Sequence, residues 1–309
     1  MARTAIGIDI GGSNIKGVLL NDNGEILLRQ AMPTNDDSNR TWRNNVVEMV
    51  KLLKAGHADR IDAIGISCPG LANEENNAIA YLPNRLSGIE NLNWDILFDA
   101  QTFVINDAHA ALLAETKFGS LQGYVNAVLL TLGTGVGGAI LINGELYQGQ
   151  NQMAGHFGHT CISTYDDERS IVGMPGSLEY ALGNYSMLRR SSGRYATTHD
   201  VVKAFQQNEP IATWLWLDMM RKLALTIASF SNALSPEAVV LAGGITQATD
   251  SLLSPLQAFL DIYEYRPNNK RTVIKMAQFT DLSGAIGAAA FAFSKTEKIS
   301  NDVHTDLLK

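Results

Sequence analysis

A chain of 309 residues, 46% of them hydrophobic and with no low-complexity stretch, is long enough for one large or two ordinary domains, which excludes disorder for its bulk. A formal charge of −7 argues against nonspecific nucleic-acid binding, and no apolar run approaches the length needed to span a membrane. Cys68 and Cys161 are the only cysteines, which fits a reducing compartment, and the absence of a basic-then-apolar leader points to a cytoplasmic protein.

In chain order, apolar patterning predicts strands over 4–10, 15–20 and 25–31, a helix over 39–55, and strands over 62–67 and 103–105. A helix over 107–117 and strands over 125–131 and 136–142 follow. Helices over 177–189 and 210–234, a strand over 238–242, and helices over 252–263 and 284–295 complete the pattern. The polar stretch from Lys295 to Lys309 is expected to end as a frayed tail. Strands alternating with helices read as an α/β fold, and the hairpins near the start of each half call for mixed sheets.

Two segments share one design. Asp9-Ile-Gly11-Gly12-Ser13-Asn14-Ile-Lys16 and Thr131-Leu-Gly133-Thr134-Gly135-Val-Gly137-Gly138 each join two apolar strands through a glycine-rich turn. Each closes at a hairpin signal, Asn23-Gly24-Glu25 and Asn143-Gly144-Glu145. Glycines let backbone N–H groups approach anionic oxygens, and Ser13 and Thr134 add hydroxyls, so the pair can grip a polyphosphate from two sides. Neither turn is a P-loop or a dinucleotide fingerprint, because a β-hairpin follows where those motifs open a helix. The offset of the repeat predicts two similar domains with a boundary near 118–124.

The remaining polar groups each have an ordinary reading. Ser67-Cys68-Pro69-Gly70 is a turn after a strand, and Asn84 follows Pro83 as turn chemistry would have it. In Asn106-Asp107-Ala108-His109, Asp107 could simply cap the helix that begins there. Placed at a strand's carboxyl end, it could instead accept a hydroxyl proton. His156, His159 and Glu179 are either surface residues or a set converging on a hydroxyl-rich ligand. Gly243-Gly244 ends a buried strand and could let a flat base lie against the backbone. The small-residue run from Gly284 to Ala290 reads as close helix packing, and Trp214 and Trp216 read as core.

Taken in order, Asp9 to Lys16, Cys68-Pro-Gly70, Asn106-Asp107-Ala, Leu132 to Gly138, Ala154-Gly-His-Phe-Gly-His159, Gly176-Ser-Leu-Glu179 and Leu241-Ala-Gly-Gly244 closely resemble the ROK family of sugar kinases and repressors, over nearly the whole chain. The resemblance implies an actin/hexokinase-like (ribonuclease H-like) two-domain α/β fold with a central cleft. The N-terminal domain is expected over 1–118, completed by the C-terminal helix at about 284–309, and the C-terminal domain over 119–283. It also implies ATP-dependent phosphorylation of a hexose, glucokinase-like at O6, with ATP and Mg2+. N-acetylmannosamine, fructose, mannose and allose are further acceptors in the family, and the sequence does not exclude polyphosphate as donor. Asp107 resembles the catalytic base. Gly70, Asn84, Asn106, His156, His159 and Glu179 fall at sugar-contacting positions. Asp9, Gly11, Gly12, Ser13, Lys16, Thr134, Gly135, Gly243 and Gly244 fall at nucleotide positions, with Asp9 holding magnesium through water.

Three residues depart from the family pattern. His156 stands where Glu is usual, His109 where Asn is usual, and the cysteine cluster that holds a structural zinc is missing, Ser177 standing at its last position. With His156, His159 and Cys161 as the only nearby donors, no zinc site is expected. Only eight residues precede Asp9, too few for a DNA-binding domain, so a kinase is favoured over a sugar-sensing regulator or a non-catalytic binder. The expected partner is a small-molecule sugar, with no nucleic acid and no membrane, and a homodimer is left open.

Overall fold

The computed structural model describes residues 3–57, 60–165 and 167–306. It divides into two units, Met1–Gly123 with Gln148–Met153 and Asp281–Lys309, and Tyr124–Tyr147 with Ala154–Thr280.

The strands of the first unit are β1 (Thr4–Ile10), β2 (Asn14–Asn21), β3 (Ile26–Pro33), β4 (Ala63–Cys68), the short pair β5 (Leu71–Ala72) and β6 (Ile79–Tyr81), and β7 (Thr102–Asn106). Its helices are α1 (Thr41–Ala55), α2 (Trp94–Phe98), α3 (Asp107–Phe118) and, from the end of the chain, α9 (Ser283–Asp306). The main sheet runs β3-β2-β1-β4-β7, antiparallel through β1 to β3 and parallel from β1 to β7.

Strand parity explains its two faces. Ile6, Ile8, Ile10, Ile64 and Ile66 form a core with Trp42, Val46, Met49 and Leu53 of α1. Each such burial contributes roughly 1.5–3 kcal/mol. The alternate positions Ala5, Gly7, Ala63 and Gly65 are small, and α9 closes on them. A Cβ on Gly7 would lie 1.9 Å from the Ala285 carbonyl oxygen, and one on Gly65 1.9 Å from that of Ala288. The same alternation puts Asp9 and Ser67, paired in register, at the carboxyl ends of neighbouring parallel strands. Small residues in α9 therefore do pack closely, as the sequence suggests.

The second unit repeats the pattern. Its strands are β8 (Ala127–Leu132), β9 (Val136–Ile142), β10 (Glu145–Tyr147), β11 (Ala238–Ala242) and β12 (Val273–Met276), in the order β10-β9-β8-β11-β12. Its helices are α4 (Leu178–Leu182), α5 (Met187–Arg190), α6 (Thr198–Gln206), α7 (Pro210–Leu234) and α8 (Asp250–Tyr263). Val128, Leu130, Val239 and Leu241 build its core with Trp216, Met219, Leu223 and Ile227 of α7. No helix among the described residues is long and apolar enough to cross a membrane.

Three expectations need correction. The single helix over 177–189 is two short ones, because Gly183 leaves helical geometry (ψ 141°). That break turns the Asn184 and Tyr185 N–H groups onto the carbonyls of Gly133 and Thr134, at 3.0 and 3.1 Å. The tail expected from Lys295 is helical through Asp306, and 307–309 lie outside the described residues. Arg3 anchors that helix through an ion pair with Glu297 and a guanidinium over the Phe293 ring. Finally, Trp216 is fully buried, but Trp214, two residues along α7 and so on another face, is 66% exposed.

Candidate functional site

In the first unit the candidate residues gather at the carboxyl ends of β1, β4 and β7. The turn after β1 is closed by the Gly11 N–H donating to the Asn14 carbonyl at 3.0 Å, leaving Gly12 and Ser13 exposed. Asp9 stands at its base and accepts from Ser67 Oγ at 2.8 Å. Burial pushes the Asp9 carboxyl up to about 6; the Ser67 hydroxyl opposes that, the charge of Asp107 adds to it, Lys16 lowers it and Asp281 raises it. Lys16, opposite Asp9 in register, donates to Asp281 as an ion pair and to the Asp281 carbonyl at 3.0 Å. The start of α9 closes over this group: a Cβ on Gly284 would lie 2.4 Å from the Asp9 carboxyl carbon.

β7 runs straight into α3, and the residue that caps the helix is Asn106. Its Oδ1 accepts from the N–H groups of Ala108 and His109 at 2.9 and 3.4 Å, and its Nδ2 donates to the Gly70 carbonyl at 3.0 Å. Asp107 is the first helical residue; it is exposed, and its Oδ1 accepts from the Ala108 N–H at 2.8 Å. The capping alternative open to Asp107 is thus taken by its neighbour. His109 is buried inside the first turn of α3. Gly70 holds a positive φ of 95°, and Asn84, at 62°, lines a cavity of about 450 Å3 with Asp36, Arg85, Ser87 and Glu90.

In the second unit the Gly133 N–H donates to the Gly135 carbonyl at 3.0 Å, the counterpart of the Gly11 bond, and Thr134 is exposed. Gly243, at φ 93°, passes so close to β8 that a Cβ would lie 2.5 Å from the Leu132 carbonyl oxygen. Gly244 faces open space, in a cavity of about 900 Å3 shared with Gly133, Thr134, Thr198, Lys203 and Gln206. Glu179 is buried against the turn. Its carboxylate accepts from the Val136 N–H at 3.4 Å and the Ile171 N–H at 3.0 Å, and it fills the space a Gly135 Cβ would need. The His156 and His159 rings lie 6.2 Å apart, on a 3-10 turn pressed to β9 where a Cβ on Gly158 would meet the Val136 carbonyl oxygen.

The profile described as ROK family matches residues 5–295. The chain belongs to the ROK family. A glucokinase of Halalkalibacterium halodurans is 29% identical over 92% of this chain and 93% of its own. Two solved structures are alike in fold. A ROK hexokinase from Thermus thermophilus has a TM-score of 0.82 at 24% identity, over 96% of this chain and 99% of its own. A ROK glucokinase from Streptomyces griseus, in complex with glucose and AMPPNP, has a TM-score of 0.76 at 22% identity, over 94% and 99%. The fold is actin/hexokinase-like, built from two mixed sheets of the same strand order.

The ROK fold implies magnesium, and the residues fit it. Asp9 is a hard oxygen donor whose carboxyl is raised partly by two neighbouring carboxylates, Asp107 and Asp281, so a divalent cation would relieve a local excess of negative charge. They do not fit the structural zinc. Cys161 is exposed and its Sγ donates to the Ser163 carbonyl at 3.3 Å, and no group of three or more metal-ligating side chains occurs among the described residues.

Several residues at these places escape sequence reasoning. Ser67 and Gly284 meet Asp9 only through register and the return of the chain's last helix. Thr198, Lys203 and Gln206 sit on α6, which was not predicted. The spacing Thr197-x-x-Asp200 carries its signal, since those side chains form a reciprocal capping box.

Proposed function

We propose that this chain transfers the γ-phosphoryl group of ATP to a primary hydroxyl of a hexose, O6 in the glucose case. It is an ATP-dependent sugar kinase of the ROK family. The observation that supports the residue assignment is the division of labour at the end of β7: Asn106 caps α3, and Asp107 stands exposed at the head of that helix, at the carboxyl ends of the strands that carry Asp9 and Ser67.

In this reading the sugar hydroxyl donates its proton to an Asp107 carboxylate oxygen as the hydroxyl oxygen attacks phosphorus and ADP departs. Gly12 and Ser13, on the turn that Gly11 closes, and Thr134 and Gly135 offer N–H and O–H donors to phosphate oxygens, and fixed donors of this kind stabilise developing charge without reorganising. Asp9, kept in place by Ser67, would hold magnesium through water. Bound there, the cation neutralises phosphate charge. The nucleoside of ATP occupies the 900 Å3 cavity, against the side-chain-free edge of Gly244 and the apolar walls Val202, Ile245 and Ala248. Gly70, Asn84 and Asn106 of the first unit and His156, His159 and Glu179 of the second are assigned to acceptor selection. His156 can both donate and accept, whereas a carboxylate only accepts, so it favours an acceptor that presents a carbonyl oxygen there, as an N-acetyl sugar does.

A coupled ADP-release assay with magnesium-ATP, against hexoses and N-acetylhexosamines, tests the reading. One strongly preferred sugar is expected. Asp107→Asn should lower kcat by roughly 10^2–10^4-fold, the range for loss of a positioned base, and leave sugar affinity nearly unchanged. Turnover near that of the unaltered protein would remove Asp107 from the role of base.

A further inference from the structure

Residues 82–90 are held in a shape their sequence does not favour, and the mechanism above, which uses Asn84, leaves the arginine beside it without a role. Asn84, Leu86 and Gly88 have φ of 62°, 47° and 80°. Asparagine and glycine tolerate this region; a leucine enters it only when its surroundings force it, and such outliers gather at functional sites. Leu86 is forced from two sides. Its side chain is fully buried in the first unit's core, and its N–H donates to both carboxylate oxygens of Asp36, at 2.9 and 3.0 Å. Upstream, the Leu82 N–H donates to Glu90 Oε1 at 2.7 Å.

Between the two strained residues stands Arg85. Its guanidinium reaches the first glycine turn, where a Cβ on Gly12 would lie 3.2 Å from Nη2. Among the described residues no hydrogen bond or ion pair holds it. Its charge is felt in the same place as those of the two site carboxylates: the Cys68 thiol is raised well above its ordinary value by burial, then by Asp107 and Asp9, and Arg85 draws it back. A guanidinium without a counter-ion, next to the exposed Gly12–Ser13 backbone, is suited to an anion with several equivalent oxygens.

We propose that Arg85 binds the phosphoryl group in transfer, at the Gly11–Ser13 turn, and neutralises the negative charge spread over its equatorial oxygens. This rests on the kinase reading. The contact to Gly12 favours the phosphoryl group over an anionic substituent on the acceptor sugar, which becomes an outcome of the test.

Arg85→Ala and Arg85→Lys are compared with the unaltered protein in steady-state ADP release, with both substrates varied. Arg85→Ala should lower kcat about 10^2–10^3-fold, as loss of one preorganised donor does, with the KM for sugar changed by less than about threefold. Added guanidinium ion at millimolar levels should restore part of the lost turnover, and Arg85→Lys should fall between. The unfolding temperature should not move, because the side chain is exposed and holds nothing. A kcat within about threefold of the unaltered protein overturns the proposal. So does a loss confined to the KM for sugar, which would put Arg85 on the acceptor. A loss with lowered unfolding temperature and no rescue by guanidinium also overturns it, as a structural role. If the unaltered protein turns over no sugar, the kinase reading falls and takes this proposal with it; an active protein with an intact Arg85→Ala variant removes the proposal alone.

Discussion

At the residue scale, adjacent side chains with similar shapes do different work. Asn106 and Asp107 both sit at the start of α3, and only geometry tells them apart. Asn106 satisfies two helix N–H groups and tethers Gly70, so Asn106→Ala should cost about 1–2 kcal/mol of stability, the range for losing a cap, read as a shift in the urea midpoint. Asp107→Ala should leave that midpoint nearly unchanged while removing turnover. Equal destabilisation by the two would mean that Asp107 shares the cap. The sequence shows that an Asn-Asp pair leaves a strand for a helix. It does not show which of the two caps, because either side chain can accept the same N–H groups and the choice depends on backbone angles at one residue, φ −64° and ψ 149° at Asn106. Ser67 was legible only as part of a turn for a related reason. It acquires its role from lying beside Asp9 across a strand pair whose register no local pattern fixes.

At the scale of elements, long periodic segments were readable and interrupted ones were not. The hairpins of both units and α7 follow directly from alternation and from helical spacing. The helix expected over 177–189 breaks at Gly183, and the Asn184 and Tyr185 N–H groups beyond the break satisfy the carbonyls of a turn about 50 residues earlier in the chain, a demand invisible to a local window. The α9 packing shows the same dependence on distant contacts, and it separates two kinds of glycine. Gly65 lies under α9, where a methyl group would collide with the Ala288 carbonyl, so Gly65→Ala should cost about 1–3 kcal/mol or more by overpacking. Gly244 faces open cavity, so Gly244→Ala should leave stability within about 0.5 kcal/mol and raise the KM for ATP. Thermal unfolding and nucleotide kinetics on the two variants check both halves. A destabilised Gly244→Ala with unaltered KM would place the nucleoside elsewhere.

For the whole molecule, the duplicated glycine turns gave away the duplicated sheets, since both copies keep the same strand order and close the turn with a glycine N–H bond, Gly11 to Asn14 in one and the tighter Gly133 to Gly135 in the other. Divergence between the copies is what specialises them, and the loop over 160–177 in the second unit is the sharpest case. This chain ties the loop with its own backbone. Leu178 N–H donates to the Thr160 carbonyl at 2.9 Å, Ile162 N–H to Gly176 at 2.8 Å, and Gly176 N–H to Glu168 at 3.2 Å. The buried Glu179 carboxylate holds the Ile171 N–H, and the Tyr185 hydroxyl donates to the Arg169 carbonyl at 3.2 Å. Hydrogen bonds to a charged acceptor are the stronger kind, at about 1.5–3 kcal/mol, so Glu179 is the main tie. Two expectations follow for the intact protein. A zinc-selective chelator should change neither the unfolding temperature nor turnover, whereas EDTA in excess over magnesium should abolish turnover and leave unfolding unchanged. Glu179→Gln, which keeps the shape but removes the charge, should loosen the loop and lower the unfolding temperature even without sugar. A protein that loses stability with the zinc chelator would require a metal in the loop and would make Glu179 secondary to it.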